Sequence, residues 1–475
     1  METVESLPSF LRTRLIRTFT LFLTWICMGM FLEIIGPTLQ DLKDRTNSEY
    51  ESLSQAVSGR SIGAVSGSII GGILIDKQGQ YCDLIIGLCL MAAAAATIAV
   101  PLSNKVLLTG ALIMVTGLAE LIVNVAGNTT ILYLWREKAS PPMHMLHLGF
   151  GIGCLLVPLV ANPFLPLMTY LPDCDVSTSS NISLTNVTDT NCSINSIEST
   201  MVLEDSMIEY AYALVAIPTV VLAMVFMVFQ CIFPQVHDVR GTKIKKRDSK
   251  AMLNPGSCTD GDWWYGLLLF SLVFLYFLFT VGFERFYTKF IRTFAVDELN
   301  FTKDEGSYIN TGFWVTFSLG RLIGFATGKF VSIRIMMVCE ISGVCLSALG
   351  LNLVTVFNFE PEASFWIFSL LIGLFLGPMW PTGIYWTDYH VELTGMGITV
   401  ICLAGGCGGF SCVSIMGYLY DAIGHVCFVY EAMVCGLLVF VIGLCLNFVG
   451  IRHGSRFDKV KDEQIITVED IDNKM

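Results

Sequence analysis

The sequence carries little charge. Asp, Glu, Lys and Arg make up 14% of its 475 residues, whereas about 25% is usual in soluble domains. The few charges sum to −12, which argues against a nucleic-acid partner. The chain also lacks a nucleophile with a neighbouring base, a glycine-rich phosphate loop and the Cys/His spacing of a metal site. We therefore expect no enzyme, no bound metal and no cofactor.

Hydrophobic residues are abundant instead, at 54% of the total and with a mean hydropathy of +0.66. They occur in runs of about twenty residues, the length that crosses the hydrocarbon core of a bilayer. This pattern predicts an all-α membrane protein with the lipid bilayer as its surroundings. The twelve predicted spans lie near residues 16–38, 54–75, 83–101, 106–133, 143–163, 207–232, 263–284, 304–327, 335–357, 365–387, 396–420 and 426–450.

The distribution of Lys and Arg predicts the orientation. With the N-terminus in the cytoplasm, 19 of the 28 basic residues fall in the head, the even-numbered loops and the tail, as the positive-inside rule requires. We expect a multi-pass protein of the plasma membrane with both termini cytoplasmic. The predicted units are an N-terminal six-helix bundle at 1–232, a cytoplasmic linker at 233–262, a C-terminal six-helix bundle at 263–450 and a cytoplasmic tail at 451–475.

A long loop, residues 164–206, lies on the predicted outer side. Cys174 and Cys192 share this loop, and they either form a disulfide in that oxidising compartment or remain free thiols. Four sequons also fall outside, where a glycan can be added. Glycosylation is therefore expected at Asn181, Asn186, Asn191 and Asn300.

One motif occurs twice. Gly59-Arg60-Ser61-Ile62-Gly63 returns 261 residues later as Gly320-Arg321-Leu322-Ile323-Gly324, which indicates a duplicated architecture. Glycines four residues apart let a neighbouring helix approach closely, and helix packing alone is the simpler interpretation of them. An arginine in an apolar run is unfavourable in lipid. We expect Arg60 and Arg321 to be buried structural charges with carboxylate or carbonyl partners.

Span four carries a line of polar residues. Glu120, Asn124 and Asn128 recur at every fourth position and therefore share one helix face. That face is unfavourable toward lipid, so it lines a cavity or, alternatively, forms a buried packing network. Ionisable residues within spans are functional candidates, and Glu33 lies near Pro37, whose ring frees a backbone carbonyl that could coordinate a small ion.

Other spans add candidates. Glu284 ends predicted span seven, where an interfacial role is the alternative, and His147 lies in span five. Span ten is interrupted by Pro378 and Pro381, which leave backbone groups free. It also offers the indole groups of Trp380 and Trp386 and the hydroxyl group of Thr382, which are suited to a sugar. For Trp386 an interfacial aromatic belt is the alternative.

Several motifs resemble those of a known family. Gly72-Ile73-Leu74-Ile75-Asp76-Lys77-Gln78-Gly79 is similar to the loop between the second and third helices of major facilitator superfamily transporters, where Asp76 is a structural charge. Gln80 and Tyr81 stand where that motif usually ends in basic residues. Within the superfamily the chain resembles the sodium-dependent glucose transporter 1 group, the domain-containing-4 branch related to fucose–proton symporters. The stretches that carry this resemblance are 35–42, 59–63, 126–132, 146–150 and 381–384.

The resemblance implies a major facilitator fold of two six-helix bundles, with spans one, four, seven and ten around a central cavity. It also implies hexose uptake coupled to sodium. The residues expected to contact the substrate are Asn124, Asn128, His147, Trp380, Thr382 and Trp386, and those expected to couple the ion are Glu33, Glu120 and Glu284.

The chain departs from the family in span four. These families carry an acid, then Thr, at a position where this chain has Asn124 and Val125. Either Glu120, one turn earlier, has taken over the role of the acid, or coupling is altered or lost. Two alternatives to a coupled transporter therefore stay open: an uncoupled facilitative pathway for sugar or a small neutral solute such as urea, and a non-transporting sensor or scaffold.

Overall fold

The chain is described here from a computed structural model. The structure describes residues 7–48, 50–165, 168–171, 200–203, 206–232, 254–259, 261–357 and 359–457. The described residues form fourteen α-helices and one short antiparallel pair of strands. The prediction of an all-α protein with twelve spans in two six-helix bundles is confirmed.

The first half contains seven helices. Six of them are the first six predicted spans, and the short helix α2 follows the first span. The bounds are α1 Leu7–Glu33, α2 Leu39–Thr46, α3 Tyr50–Gln78, α4 Cys82–Ala99, α5 Val106–Trp135, α6 Ser140–Ala161 and α7 Ile208–Ile232, with β1 Met168–Leu171 and β2 Thr200–Leu203 between α6 and α7.

The second half contains the other seven helices, because the tenth span is divided in two. The bounds are α8 Trp263–Asp297, α9 Lys303–Thr327, α10 Ile333–Val356, α11 Pro361–Leu376, α12 Met379–His390, α13 Gly395–Ile423 and α14 Cys427–His453. Helix α8 is 35 residues long and continues to Asp297, well past the predicted end at Glu284, which was wrong.

Local signals in the sequence explain several helix ends. The Asp262 side chain caps α8, Thr394 caps α13, and Thr302 forms a capping box with Glu305 at the start of α9. Such caps satisfy amide groups that a helix leaves unpaired in its first turn. Span ten breaks at Gly377-Pro378, as its prolines predict.

Ten stretches of the described residues are long and apolar enough to cross a membrane. One of them, 55–102, contains both α3 and α4, and another contains α11 and α12. Together they account for eleven of the twelve predicted spans. The remaining span is α9, which carries Asp304, Glu305 and Arg321.

The two halves repeat one packing scheme. In the first half α1 packs on α6, α3 on α5 and α4 on α7; in the second half α8 packs on α13, α9 on α11 and α10 on α14. These pairs join equivalent spans. The duplication predicted from the repeated motif is therefore present in the packing.

The halves contact each other from the middle of the bundle to the end where α1 begins and α14 ends. We call this end the terminal side. The contacts are made by α6 with α9 and α12, and by α13 with α3 and α5. Glycines let these helices approach: a Cβ on Gly324 would collide with the His144 ring, and one on Gly72 would collide with Thr399.

Candidate functional site

Arg60 joins two acidic side chains from other helices. Its Nε lies 3.2 Å from Oε2 of Glu120 and its Nη2 lies 3.4 Å from Oε1, which is a bidentate pair between α3 and α5. Its Nη1 lies 3.4 Å from Oε1 of Glu33 at the end of α1. We call Glu33, Arg60 and Glu120 the acidic triad. Gly117 lets α3 and α5 approach at this point, because a Cβ there would collide with the Arg60 carbonyl oxygen.

The acidic triad is accessible although it lies within spans. The side chains of Glu33, Arg60 and Glu120 are 43%, 24% and 15% exposed. If both carboxylates and the guanidinium are ionised, one negative charge is unbalanced. A single monovalent cation would neutralise it, and carboxylate oxygens are suitable ligands for a hard cation.

An amide and imidazole line continues along α5 toward the terminal side. Nδ2 of Asn128 donates to the Asn124 side-chain oxygen at 2.8 Å and to the Asn124 carbonyl at 2.9 Å. Oδ1 of Asn128 accepts from Nε2 of His147 on α6 at 3.2 Å. Asn124 also reaches the second half, where Cys402 on α13 donates to its oxygen at 3.9 Å. The structure therefore brings the three polar residues of span four and His147 into one cluster.

Aromatic rings border this cluster from both halves. The His147 ring meets Trp25 of α1 edge-on, with 6.0 Å between centroids, and Trp380 of α12 at 6.4 Å. Trp380 in turn meets Phe277 of α8 at 5.0 Å. Trp380 is only partly buried, so its ring is available at the boundary between the halves.

Arg321 pairs with carbonyl oxygens instead of carboxylates. Its Nε donates to the Gly377 carbonyl at 3.0 Å and its Nη1 donates to the His147 carbonyl at 2.9 Å. In a regular helix the Gly377 carbonyl would accept from the amide four residues later, but Pro381 has no N–H. Arg321 thus satisfies the acceptor that the proline leaves free, and it links the second half to α6 of the first.

Asp76 caps a helix of the other half. Its two carboxylate oxygens accept from the amides of Gly395 and Met396 at 2.7 and 3.1 Å, at the N-terminus of α13. An acidic group at this position complements the helix dipole and the unpaired amides. The family loop motif therefore contributes a contact between the halves on the terminal side.

Two predicted site residues lie away from the cluster. Trp386 is fully buried, donates from its indole nitrogen to Asn447 on α14 at 3.0 Å and stacks on His390. This placement favours packing within the second half. Glu284 lies within α8, beside Arg285 at 3.7 Å, and the helix runs on beyond it to Asp297; its ion-coupling role and the interfacial alternative both stay predictions.

Among the predicted modification sites the structure describes only Asn300. It is exposed, with φ of 56°, between α8 and α9, on the side of the bundle opposite the termini. Its sequon residue Thr302 is the cap of α9. Asn181, Asn186, Asn191, Cys174 and Cys192 lie outside the described residues, so their glycans and disulfide stay predictions.

The structure also forms polar contacts that the sequence patterns did not indicate. The predicted substrate residue Thr382 lies between His144 of α6 and Glu340 of α10. Arg17 of α1 and Asp83 of α4 form a buried ion pair at 2.9 Å. Ligand atoms of Cys412, Glu431 and Cys435 lie within 4.8 Å of one another between α13 and α14. Each set joins residues on different helices, so no spacing in one stretch of sequence could have revealed it.

No protein-family model matches the chain, but curated relatives and solved structures do. The chain is 28% identical to mouse "Sodium-dependent glucose transporter 1A" over 401 residues, which cover 84% of this chain and 88% of the relative. It is 26% identical to human "Sodium-dependent glucose transporter 1" over 396 residues, covering 83% and 72%.

Among solved structures, the major facilitator superfamily transporter FucP in the outward conformation matches with a TM-score of 0.68 at 14% identity, covering 92% of this chain and 99% of FucP. Identity this low establishes the fold. The chain thus has the fold of the major facilitator superfamily and resembles, in sequence, the sodium-dependent glucose transporter 1 proteins.

Proposed function

We propose that this protein is a secondary active transporter that takes up glucose or a related hexose together with sodium, by alternating access. The coarser part, a sugar transporter of the membrane, is supported by relatives named for glucose transport and by a fold neighbour named as a fucose:proton symporter. Sodium coupling is the finer part of the proposal.

The observation that carries the coupling proposal is the unbalanced charge of the acidic triad. Glu33, Arg60 and Glu120 are accessible although they lie within predicted spans, and they bear one net negative charge when ionised. A cation bound there removes an uncompensated charge from a region of low dielectric. Glu120 provides charged carboxylate oxygens as ligands. Asn124, one turn further on, offers only a neutral amide oxygen.

The substrate would bind next to the acidic triad. A hexose needs donors and acceptors for its hydroxyl groups and a flat apolar surface for its C–H face. Asn124, Asn128 and His147 supply the first, and Trp380 supplies the second from the other half. The sugar would contact both halves, with sodium beside it. Bound sugar would then increase the affinity for sodium by the same factor by which bound sodium increases the affinity for sugar.

The closed terminal side fits one state of the cycle. If both termini are cytoplasmic, as the Lys and Arg distribution predicts, the contacts of Asp76 and Arg321 close the cytoplasmic exit. The acidic triad then lies toward the outside, where sodium is abundant. We place the protein in the plasma membrane for this reason.

Uptake into proteoliposomes tests the proposal. Purified protein is reconstituted, and entry of labelled glucose is compared under an inward sodium gradient and under an equal potassium gradient. Sodium-stimulated accumulation above the equilibrium level supports coupled transport. Uptake without accumulation would overturn the coupling, and no uptake of any hexose would support a sensor or scaffold.

An uncoupled facilitative pathway is the second candidate. It is favoured by Asn124, a neutral amide engaged with Asn128 where related transporters carry an acid. In that case Arg60 and one of its carboxylates form a structural pair, and the other carboxylate is protonated. Uptake that is equal in sodium, in potassium and at all pH values would select this alternative.

A further inference from the structure

A chain of three polar side chains crosses between the halves on the terminal side. His144 belongs to α6 in the first half, and Thr382 and Glu340 belong to α12 and α10 in the second. Oγ1 of Thr382 lies 3.1 Å from Nε2 of His144 and 2.7 Å from Oε1 of Glu340. All three residues are buried, and Glu340 is 6% exposed. Neither the acidic triad nor the cluster of Asn124, Asn128 and His147 includes His144 or Glu340.

The contact of His144 with Ser140 determines which atoms of this hydrogen-bond chain can donate. Nδ1 of His144 lies 2.9 Å from the Ser140 carbonyl oxygen, which can only accept, so Nδ1 carries a hydrogen. In a neutral imidazole Nε2 is then an acceptor. The Thr382 hydroxyl has a single hydrogen, which it can donate to Nε2 or to Oε1 but not to both.

An ionised Glu340 beside a neutral His144 would therefore leave one of these contacts without a hydrogen. Lone pairs would face each other in a buried site, which is unfavourable. One additional proton removes the conflict. If it sits on Glu340, the acid donates to Thr382 and Thr382 donates to His144; if it sits on His144, both bonds reverse.

Two further observations favour the proton on Glu340. Its second oxygen, Oε2, has no hydrogen-bond partner within the described residues, and an ionised buried carboxylate needs such donors. The Arg321 guanidinium bonds the carbonyl of His147, one turn from His144, and opposes a charge on that imidazole.

Among the described residues, the titratable groups that interact with these side chains are Tyr276 of α8, beside Glu340, and His147 and Arg321, beside His144. Helix α12 contributes the neutral Thr382 hydroxyl. The neighbouring helices α11 and α14 meet α10 with apolar contacts at Phe375 on Gly343 and at Ile341 on Gly443.

We propose that Glu340 is a proton-binding site whose proton completes the hydrogen-bond chain to His144 and so holds the two halves together on the terminal side. The contact is complete at low pH and loses one hydrogen bond as pH rises. Deprotonation therefore favours opening of the terminal side. This inference is independent of sodium and of the sugar in the proposed function.

The variant Glu340→Gln tests it, because the glutamine amide donates to Thr382 at every pH. The matched control is Glu431→Gln on α14. Glu431 is also buried, at 9% exposed, and also has an oxygen without a partner, but its neighbours Cys412 and Cys435 belong to the second half.

Two measurements on the purified full-length protein in nanodiscs need no sugar. In infrared difference spectra over a pH titration, we expect Glu340→Gln to lose part of the protonated-carboxyl signal that disappears in wild type as pH rises; Glu431→Gln keeps this part and shows any contribution of Glu431 itself. In hydrogen exchange, residues 395–397, whose first two amides donate to Asp76 across the interface, should exchange several-fold faster in wild type than in Glu340→Gln at high pH and equally at low pH.

A spectrum of Glu340→Gln identical to that of wild type, or equal protection of 395–397 in both proteins at high pH, overturns the proposal. If Glu340→Gln does not fold, Thr382→Val replaces it, since valine keeps the shape and removes the bridge. Thr382→Val should exchange fast at 395–397 at low pH as well, and protection like that of wild type at low pH would again overturn the proposal.

Discussion

At the scale of single residues, Glu33 and Glu120 make unequal contacts with Arg60. Glu120 has two contacts and is mostly buried, whereas Glu33 has one and is largely exposed. We expect Glu120→Gln to abolish sodium stimulation of uptake, because the acidic triad then carries no net charge, while Asn124→Ala keeps it. Glucose uptake under sodium and potassium gradients measures both.

Glu362→Gln at the exposed start of α11 is the control and should behave as wild type. If Glu33→Gln and Glu120→Gln both keep full sodium stimulation, the ion binds elsewhere. A loss of stimulation in Asn124→Ala alone would assign the ion to the amide position instead.

Arg321 supports the broken helix, so its loss should destabilise the second half. In Arg321→Ala the Gly377 carbonyl has no partner, which costs about 1–3 kcal/mol for a buried acceptor. We expect a lower melting temperature in detergent, measured by size-exclusion chromatography with fluorescence detection. Arg321→Lys should remain below wild type, because one ammonium cannot reproduce the two-carbonyl geometry. A melting temperature of Arg321→Ala equal to that of wild type would contradict this assignment.

The two tryptophans of α12 should behave differently when replaced. Trp380→Ala should raise the KM for sugar and leave the sodium requirement unchanged, because its ring borders the cluster without touching the acidic triad. Trp386→Ala should instead lower folded yield, since removing a fully buried indole costs about 3–5 kcal/mol, with an unchanged KM in the protein that folds. The reverse pattern would place the sugar beside α14.

At the scale of elements, the repeated glycines determine how closely helices pack. A Cβ on Gly63 would collide with the Met114 carbonyl of α5, whereas a Cβ on Gly406 of α13 meets nothing within 4 Å. We expect Gly63→Ala to reduce thermal stability by about 1–3 kcal/mol, as overpacking does, and Gly406→Ala to have no such effect. Equal melting temperatures for the two variants would show that α3 and α5 separate without cost.

Elements with a local signal could be predicted from the sequence, and contacts between elements could not. The apolar runs give the spans, and Pro378 and Pro381 give the break between α11 and α12. The four-residue spacing places Glu120, Asn124 and Asn128 on one face. Nothing in that spacing indicates that Arg60 forms an ion pair with Glu120, because the two residues are sixty positions apart and lie on two helices.

The predicted end of span seven failed for a related reason. After Glu284 the sequence becomes more polar, with Arg285, Lys289 and Arg292, and hydropathy alone ends the span there. The helix continues because its other face remains apolar: Phe286, Tyr287, Ile291 and Phe294 are buried. An average over all faces does not detect that a helix continues as an amphipathic one.

At the scale of the whole molecule, topology is the next property to test. If both termini are cytoplasmic, as the Lys and Arg distribution predicts, we expect the loop at 164–206 to be extracellular and glycosylated. Enzymatic deglycosylation should shift the mobility on a gel, and replacement of Asn181, Asn186 and Asn191 by Gln should remove most of that shift. A residual shift in the triple variant that is lost on Asn300→Gln would assign the fourth glycan. Labelling of the loop only after permeabilisation would invert the orientation.

The contacts that join the halves have a consequence for how this sequence can change over evolution. Asp76 holds the amides of Gly395 and Met396, Thr399 donates to the Ser68 carbonyl, Tyr385 to the Glu137 carbonyl and Arg321 to the His147 carbonyl. In each pair one partner is a main-chain atom; every residue type provides the carbonyl, and every type except proline provides the amide. A change of side chain at Ser68, Glu137, His147 or Met396 therefore leaves the partner atom of the other half in place. Gly395 is different, because a Cβ there would collide with the Gly72 carbonyl and with Asp76, and the side-chain pair of His144 and Thr382 also needs a matching change.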